Sequence, residues 1–502
     1  MKTTIFRNFL MLMTTIFLVA SCGSDFVEVK PEGQFLTENY YRDEAEAFAG
    51  LVAVYDVFKK NTGGFENMLT MMNAGSDDFF GGGDGQNSDG IQVFSNYTIN
   101  SVTMPNSFWS DHYQGIFRAN FLLQKLPNIS MDATVKARFT AEAKACRAMY
   151  YFNLVRMFKN IPLMTAPLAP SEIYQVRQAT PQAVYEQIEK DLNDAVAVLP
   201  LTLPNNEKGR FTKGSAQALL GKVYLYDNKN ALAAQALAQV NGTPGSASQY
   251  GYQLLSNFAN LWIFSNKFNS ESILEANHSS NGDSFWGIWG SAADEGNTSC
   301  QMVGPRNYTR PANSSAPNIP SGWSFNPMTV DLYNAIRFDP RFNATVLDMR
   351  ALKQSGQANY IPGFQDTGYF LNKIIPRQAN VYTGPGNAEL NFNQNSYIIR
   401  LADSYLLEAE ALGGTGARAQ ALLDAVRARV GLPSVPVSMI AIANERRLEL
   451  AGEGHRFFDL VRTGQAATRL ASKGFIIGKN EVLPIPFREL QNTLLQQNPG
   501  YN

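Results

Sequence analysis

Apolar residues recur every three or four positions over much of the chain, a spacing that predicts amphipathic helices. The first such segment runs from Thr37, a good N-cap residue, to Lys60. Its recurring apolar residues are Ala45, Phe48, Val52 and Tyr55. The pattern therefore predicts a helix soon after the N-terminal segment.

The same spacing continues in pairs of segments further along the chain. It predicts helices over 108–126, 134–158, 181–199, 215–226, 231–240, 396–412, 417–430 and 437–451. Small residues such as Ala141, Ala145 and Ala148 share one face of their helix, where they let a partner helix approach closely. Helix pairs of this length resemble tetratricopeptide repeats. We therefore expect a mainly α fold, a tetratricopeptide-like scaffold of helix pairs.

The region 242–395 differs, because Gly, Pro, Asn and aromatic residues dominate it and its helical patterns are short. Four of the five tryptophans lie there. A long loop-rich region within a compact protein is usually functional. The sequence thus predicts an N-terminal helical scaffold (37–241), an irregular ligand-binding region (242–395) and a C-terminal helical part (396–502).

The N-terminus resembles a bacterial lipoprotein signal. Lys2 and Arg7 precede an apolar run that is too short for a membrane span, and small residues then precede Cys22. We expect a signal peptide at 1–21, lipidation of Cys22 and a tether at 22–36. Several acyl chains would anchor the protein stably. The alternative is an ordinary secretory signal with a chance cysteine.

Composition narrows the class of protein further. The formal net charge is −1, or −3 without Lys2 and Arg7, which is not the balance of a nucleic-acid binder. Only 17% of residues are charged, against about 25% in typical proteins, which suits an uncharged ligand. Cys146 and Cys300 could pair, although Cys146 in a helical pattern favours a buried free thiol. We expect no metal centre of His and Cys ligands and no cofactor.

Several long blocks resemble the SusD/RagB family of outer-membrane lipoproteins. The N-terminal blocks are Tyr113-Gln114-Gly115-Ile116-Phe117-Arg118-Ala119-Asn120, Ala141-Glu142-Ala143-Lys144-Ala145-Cys146-Arg147-Ala148 and Gly209-Arg210-Phe211-Thr212-Lys213-Gly214-Ser215-Ala216. In the last block, Ser215 replaces the family's usual small apolar residue. The C-terminal blocks are 399–411, 445–460 and 497–501. The resemblance covers nearly the whole chain after residue 22 and is weakest over 242–395.

The resemblance implies a non-catalytic, surface-exposed lipoprotein of the cell outer membrane. Such a protein captures a nutrient, here expected to be a glycan, and delivers it to a partner barrel, a SusC-like TonB-dependent transporter. A peptide-binding lid of the same family remains an alternative, as does a purely structural surface protein.

Aromatic residues are the candidate ligand contacts, because a flat ring covers the apolar face of a sugar while amides and carboxylates meet its hydroxyls. The predicted ligand-binding residues are Phe80, Trp286, Trp289, Trp323, Asp78 and Asn87. The alternative is that these rings only pack the loops onto the helical core, and we favour that alternative for Trp262. Asp84, Asn87 and Asp89 could hold Ca²⁺, but the EF-hand order is not met and a surface loop is preferred.

A charged set in the C-terminal part allows a second function. Its members are Arg400, Asp403, Glu408, Glu410, Glu445, Arg446, Arg447 and Glu449. Paired carboxylates could make the protein a surface glycoside hydrolase. We instead expect ion pairs that lock adjacent helices, and a hydrogen-bonded His455 at a helix entry rather than a general base.

Overall fold

Helices that follow one another in the chain pack side by side in the structure, a computed structural model that describes residues 41–85, 90–291 and 293–501. The N-terminal helices are α1 (Glu44–Tyr55), α2 (Met68–Ala74), α3 (Ile91–Ser95), α4 (Ser107–Lys125), α5 (Ala133–Phe158), α6 (Pro181–Val198), α7 (Lys213–Tyr226) and α8 (Asn230–Asn241). Helices α4 to α8 each contact the next. This order confirms the predicted stack of helix pairs.

The remaining helices are short in the middle of the chain and longer again near its end. They are α9 (Thr298–Met302), α10 (Val330–Ile336), α11 (Phe342–Thr345), α12 (Met349–Gln354), α13 (Leu401–Ala411), α14 (Gly416–Arg429), α15 (Met439–Glu449), α16 (Arg456–Arg462), α17 (Ala466–Arg469) and α18 (Phe487–Leu490). Helix α13 packs on α8 and on α14, so the C-terminal helices extend the N-terminal stack.

In the part of the chain that the structure describes, six short strands form three antiparallel pairs. They are β1 (Ile161–Pro162), β2 (Gln178–Ala179), β3 (Ser272–Ala276), β4 (Val346–Asp348), β5 (Tyr369–Leu371) and β6 (Ser396–Arg400). Strand β1 pairs with β2, β3 with β6 and β4 with β5. The β3–β6 pair joins the beginning of the irregular region to its end.

Local sequence explains where several helices begin. The Thr180 hydroxyl accepts a hydrogen bond from the Ala183 amide, and Pro181 occupies the first turn of α6, as predicted. At α7, Thr212 and Ser215 cap each other's backbone amides at 2.8 and 3.1 Å. The serine that departs from the family pattern therefore completes a capping box.

Close approach of α7 and α8 depends on a glycine. A Cβ atom at Gly221 would lie 2.5 Å from the Leu237 side chain, well inside van der Waals contact. A larger residue at this position would push the two helices apart. Small residues therefore set the spacing of the stack here, in the way predicted for the alanine face of α5, whose members are buried.

Two predicted helices require correction. The segment 396–412 begins as strand β6, because Tyr397, Ile398 and Ile399 favour extended backbone and pair with β3, far away in the sequence. The described residues of the segment 37–60 include α1 and the start of a 3₁₀ turn, Asp56–Asn61. Thr37 lies outside the described residues, as do the segments 1–21 and 22–36 and Cys22.

Helix α1 also buries a different face from the one that the recurring residues suggested. Phe48 and Val52 are 42% and 51% exposed, whereas Ala47, Leu51 and Val54 are fully buried. Helix α1 has two apolar faces. The face that carries Ala47, Leu51 and Val54 is buried because this helix contacts α4 and α5.

The irregular region has a hydrophobic core of its own, although its sequence is rich in loop-forming residues. Its buried members from this region include Met328, Leu332, Val346 and Phe370. Strands β4 and β5 cross this cluster, and Leu69 and Ala451 join it from the helical parts. The loops that carry the candidate site therefore rest on a packed base.

Candidate ligand-binding site

Three tryptophans from two separate loops meet at the surface of the irregular region. The ring centres of Trp286 and Trp323 are 5.9 Å apart, and the two planes differ by only 26°. Trp289 stands nearly perpendicular to both, with ring centres at 5.3 and 6.0 Å. Trp286 is 48% exposed, while Trp289 and Trp323 are half-buried. We call these three residues the tryptophan cluster.

The loop that carries Trp286 and Trp289 is fixed by polar contacts at both ends. Ser284 and Asn391 exchange hydrogen bonds, the Ser284 amide donating to the Asn391 side chain and that side chain donating to the Ser284 carbonyl, both at 2.8 Å. Asp294 accepts from the Ser284 hydroxyl at 3.0 Å and from the Gly290 amide at 2.9 Å. These contacts define the loop without a helix or strand.

Trp323 is positioned by close contact between two backbone segments. Its amide donates to the Gln301 carbonyl at 3.0 Å, at the end of α9. A Cβ atom at Gly322 would lie 2.4 Å from the Gly304 Cα atom, so only glycine fits beside Trp323. Helix α9 thus holds one ring of the cluster, and the Trp289 indole donates to Thr298 on the same helix at 3.3 Å.

Phe65 extends the tryptophan cluster and was not predicted from the sequence. Its ring centre lies 6.1 Å from that of Trp289 and 5.2 Å from that of Phe325, with planes at 75° in both pairs. Phe65 lies between α1 and α2, more than 200 residues before Trp289 in the chain. Its neighbours Gly63 and Gly64 were the only local sign of a loop aromatic.

Phe80 and Asp78 do not join the tryptophan cluster through a side-chain contact in the described part of the chain. The Phe80 ring is half-buried and faces the Lys473 ammonium at 5.8 Å. Asp78 is 1% exposed and pairs with Arg447 at 2.6 Å, which corrects its prediction as a ligand contact. Burial between arginines leaves it no access to a ligand. Asn87 lies outside the described residues.

The loop after Phe80 nevertheless reaches the site through its backbone. Gly82 bridges to Phe325, and Asp84 pairs with Arg306 at 3.3 Å. Arg306 and Trp323 both line a hollow of about 430 Å³. Trp289 lines a second hollow, of about 460 Å³. Rings of the tryptophan cluster therefore border two hollows large enough for sugar units.

Trp262 is half-buried and packs against neighbouring side chains, as expected. Its ring faces the Lys373 ammonium at 4.7 Å and lies 5.8 Å from the Tyr397 ring. Cys146 and Cys300 are both buried and free, so they do not form a disulfide.

The charged residues of the C-terminal part form buried ion pairs, as predicted. Arg400 pairs with Glu449 at 2.6 Å, with Glu271 at 2.9 Å and with Glu453 at 2.8 Å. Burial alone would raise the pKa of Glu449, but Arg429, Arg400 and Arg341 outweigh it and hold the pKa well below its usual value. A carboxylate held ionised and enclosed by arginines cannot serve as a glycosidase acid.

His455 stands at the N-cap of α16, the helix entry that was predicted for it. Burial lowers the pKa of its imidazole to about 4, and nearby Lys222 acts in the same direction. Among the described residues, no group of three or more His, Cys, Asp or Glu side chains is arranged to hold a metal ion. In that same part of the chain, no helix is long and apolar enough to cross a bilayer.

Comparison with known proteins identifies the family to which this chain belongs. Residues 25–225 match the family described as "Starch-binding associating with outer membrane", and residues 333–501 match the SusD family. A solved structure titled "Laminarin binding SusD-like protein" shares 62% identity and a TM-score of 0.91, over 92% of this chain and all of that one. The chain belongs to the SusD family.

More distant relatives agree with this assignment. Surface glycan-binding protein A from Bacteroides thetaiotaomicron, solved in complex with laminarihexaose, is 25% identical with a TM-score of 0.79, over 91% of this chain and 99% of that one. A SusD-like protein of Formosa agariphila is 25% identical over 98% of both chains. These matches confirm the predicted family and the mainly helical scaffold.

Proposed function

We propose that the protein captures a neutral glucan of the laminarin type on its tryptophan cluster and delivers it to a TonB-dependent outer-membrane transporter. The observation that carries this proposal is the meeting of Trp286, Trp289 and Trp323 at an exposed surface. Two relatives, named for laminarin and solved with laminarihexaose, support the choice of glycan. No catalytic role is part of the proposal.

The geometry of the rings favours a curved chain over a flat one. Trp289 is turned by 79° from Trp286 and by 81° from Trp323. A ligand that stacks on rings in two orientations must change direction between its sugar units. A flat ribbon such as cellohexaose presents all its faces in one plane and can cover only one orientation. The cluster therefore suits a bent glucan such as laminarihexaose.

Calorimetry with laminarihexaose, cellohexaose and maltohexaose tests the proposal. We expect the tightest binding for laminarihexaose, with little change between low and moderate salt because the ligand carries no charge. Analysis of the incubated sugar should show the intact hexamer. Hydrolysis of the hexamer would instead support the glycosidase alternative, and absence of binding to all three sugars would refute glucan capture.

Delivery requires a membrane anchor and a partner, both of which the proposal includes. The family resemblance implies a SusC-like barrel, and the small residues before Cys22 support lipidation there. Replacement of Cys22 by Ala should release the protein from membranes, and affinity purification of the wild-type protein from membranes should retain a TonB-dependent barrel. A membrane-bound Cys22→Ala protein would contradict the lipid anchor.

A further inference from the structure

The hollow beside Trp289, which we call the proximal hollow, opens next to the tryptophan cluster and differs from it in chemistry. Its aromatic end consists of Trp289 and Phe65, and its other walls include the 3₁₀ turn that follows α1 and the start of α4. Its volume of about 460 Å³ falls within the range of small-molecule sites, about 300–1,000 Å³. A ligand on the cluster therefore has an adjacent space to enter.

The polar wall of the proximal hollow is a connected set of side chains. Lys60, only 8% exposed, donates to the Ser107 hydroxyl at 2.5 Å and pairs with Asp111 at 3.3 Å. Ser107 in turn donates to Glu66 at 2.5 Å. The Lys60 side chain is therefore held in place, and it fixes the hydroxyl and the carboxylates around it before any ligand arrives.

This wall offers acceptors for the hydroxyl groups of a sugar. The Asp111 side chain is 41% exposed and Glu66 is exposed, so each presents carboxylate oxygens to the hollow. A carboxylate has about four lone-pair sites, and one lysine together with one serine cannot occupy all of them. Adjacent hydroxyls of a pyranose ring can donate to such oxygens, while Trp289 covers an apolar face of the ring.

Charge in the proximal hollow disfavours an anionic ligand. Its lining includes four carboxylates, those of Asp56, Glu66, Asp111 and Asp294, and two lysines, Lys59 and Lys60. Both lysines pair with carboxylates, Lys59 with Asp56 at 3.1 Å. A sulfate or uronate group entering this space would meet net negative charge at short range.

We propose that the proximal hollow is a second part of the ligand site, which holds the sugar units beyond those stacked on the tryptophan cluster and selects neutral over anionic glycans. The inference rests on the proposed function and adds to it a length requirement and a charge filter. The stacking rings supply contact with any glucan, whereas this polar wall supplies contact only with a chain long enough to reach it.

A blocking variant tests the length requirement. Gln114 lies on the exposed side of α4 and lines the proximal hollow, so Gln114→Trp should fill it without disturbing the core. The matched control is Gln182→Trp on α6, which is also exposed and lies outside both hollows. Calorimetry with laminarihexaose and laminaritriose, with melting curves for each variant, provides the readout.

We expect Gln114→Trp to weaken laminarihexaose binding about tenfold or more, which corresponds to about 1.4 kcal/mol. Its laminaritriose affinity should stay within about twofold of the wild type, as should both affinities of the control. Unchanged hexaose binding would overturn the inference, and so would an equal loss for both sugars, because the substitution would then act on the tryptophans. If wild-type protein binds neither sugar, the proposed function fails instead.

Sulfated laminarin tests the charge filter. We expect the wild-type protein to bind it at least about tenfold more weakly than laminarin at low salt, and Asp111→Asn to reduce that difference. The matched control is Asp194→Asn, because Asp194 is 44% exposed, pairs with Lys144 and lies on α6 away from the hollow. Equal binding of sulfated and unmodified laminarin by the wild-type protein would refute the charge filter.

Discussion

The helical scaffold of this protein buries charged side chains, whereas the irregular region brings aromatic side chains together at the surface. In the scaffold, Arg400 and Glu449 are buried and form an ion pair with each other. In the irregular region, the largest aromatic side chains meet at the surface, above a separate hydrophobic core. The charges thus stabilise the arrangement of helices, and the exposed rings are left for a ligand. The charged residues that suggested a catalytic function in the sequence are therefore engaged with one another, whereas the loop tryptophans remain available to a ligand.

We expect the largest loss of stability from a substitution in the scaffold. Arg400→Ala should destabilise the protein by about 3–5 kcal/mol, because Glu449, Glu271 and Glu453 would keep buried charge without this partner. Lys144→Ala, which removes a surface pair with Asp194, is the control and should cost about 0–1 kcal/mol. Urea titration measures both, and comparable values for the two variants would show that the buried pairs do not hold the scaffold.

A purely apolar change at the neighbouring residue should rank next. Leu401 is fully buried at the start of α13, so Leu401→Ala should cost about 2–5 kcal/mol of unfolding free energy. Leu232 on α8 is 44% exposed, and Leu232→Ala should cost far less. A denaturant titration that finds no loss for Leu401→Ala would mean that the scaffold core lies elsewhere.

Acid should weaken the folded state before it affects the ligand surface. Burial lowers the pKa values of His112, His278 and His455 to about 4, below the value of about 6.5 for an unfolded chain. Between these values the unfolded state binds more protons, so stability is full above about pH 6.5 and falls as the pH drops towards 4. Each histidine contributes a slope of up to about 1.4 kcal/mol per pH unit.

Melting curves between pH 7 and pH 4 check this expectation. His278→Asn should flatten the dependence by removing one of the three groups. A melting temperature that is constant over this range would contradict the burial of neutral histidines.

The smallest effect on stability, with a large effect on binding, is expected in the tryptophan cluster. Trp286→Ala removes a ring that is 48% exposed, so the melting temperature should barely change while glucan affinity falls about tenfold or more. Phe338→Ala, at an 86% exposed aromatic outside both hollows, should change neither quantity.

Alanine variants of Trp289 and Trp323 test the same comparison between binding and stability. Both are half-buried, and Trp289 also contacts Phe65 and Thr298, so their alanine variants should lose binding and a modest amount of stability. Normal binding by all three tryptophan variants, or unfolding of all three, would show that the rings only cover the core.

Local patterns were sufficient for the presence of the longer helices and for the N-cap of α6. Helix α6 begins where Thr180 and Pro181 indicate, and α5 buries its alanine face, because both signals act within a few residues of the chain. Strand β6 was mistaken for helix, since its pairing with β3 spans more than 100 residues. The exposed face of α1 was misjudged for the same reason, as its neighbours α4 and α5 choose between two apolar faces.

The sequence by itself determined the family, the helical scaffold and the types of residue that could bind a glycan, because motifs, helix periodicity and loop tryptophans are local features. Only the tertiary structure decided which of those residues meet. It joined Trp323 to Trp286 and Trp289, added Phe65 from a distant loop, and buried Asp78 against Arg447. A surface site assembled from separate loops depends on packing between segments far apart in the chain, and no local pattern records that packing.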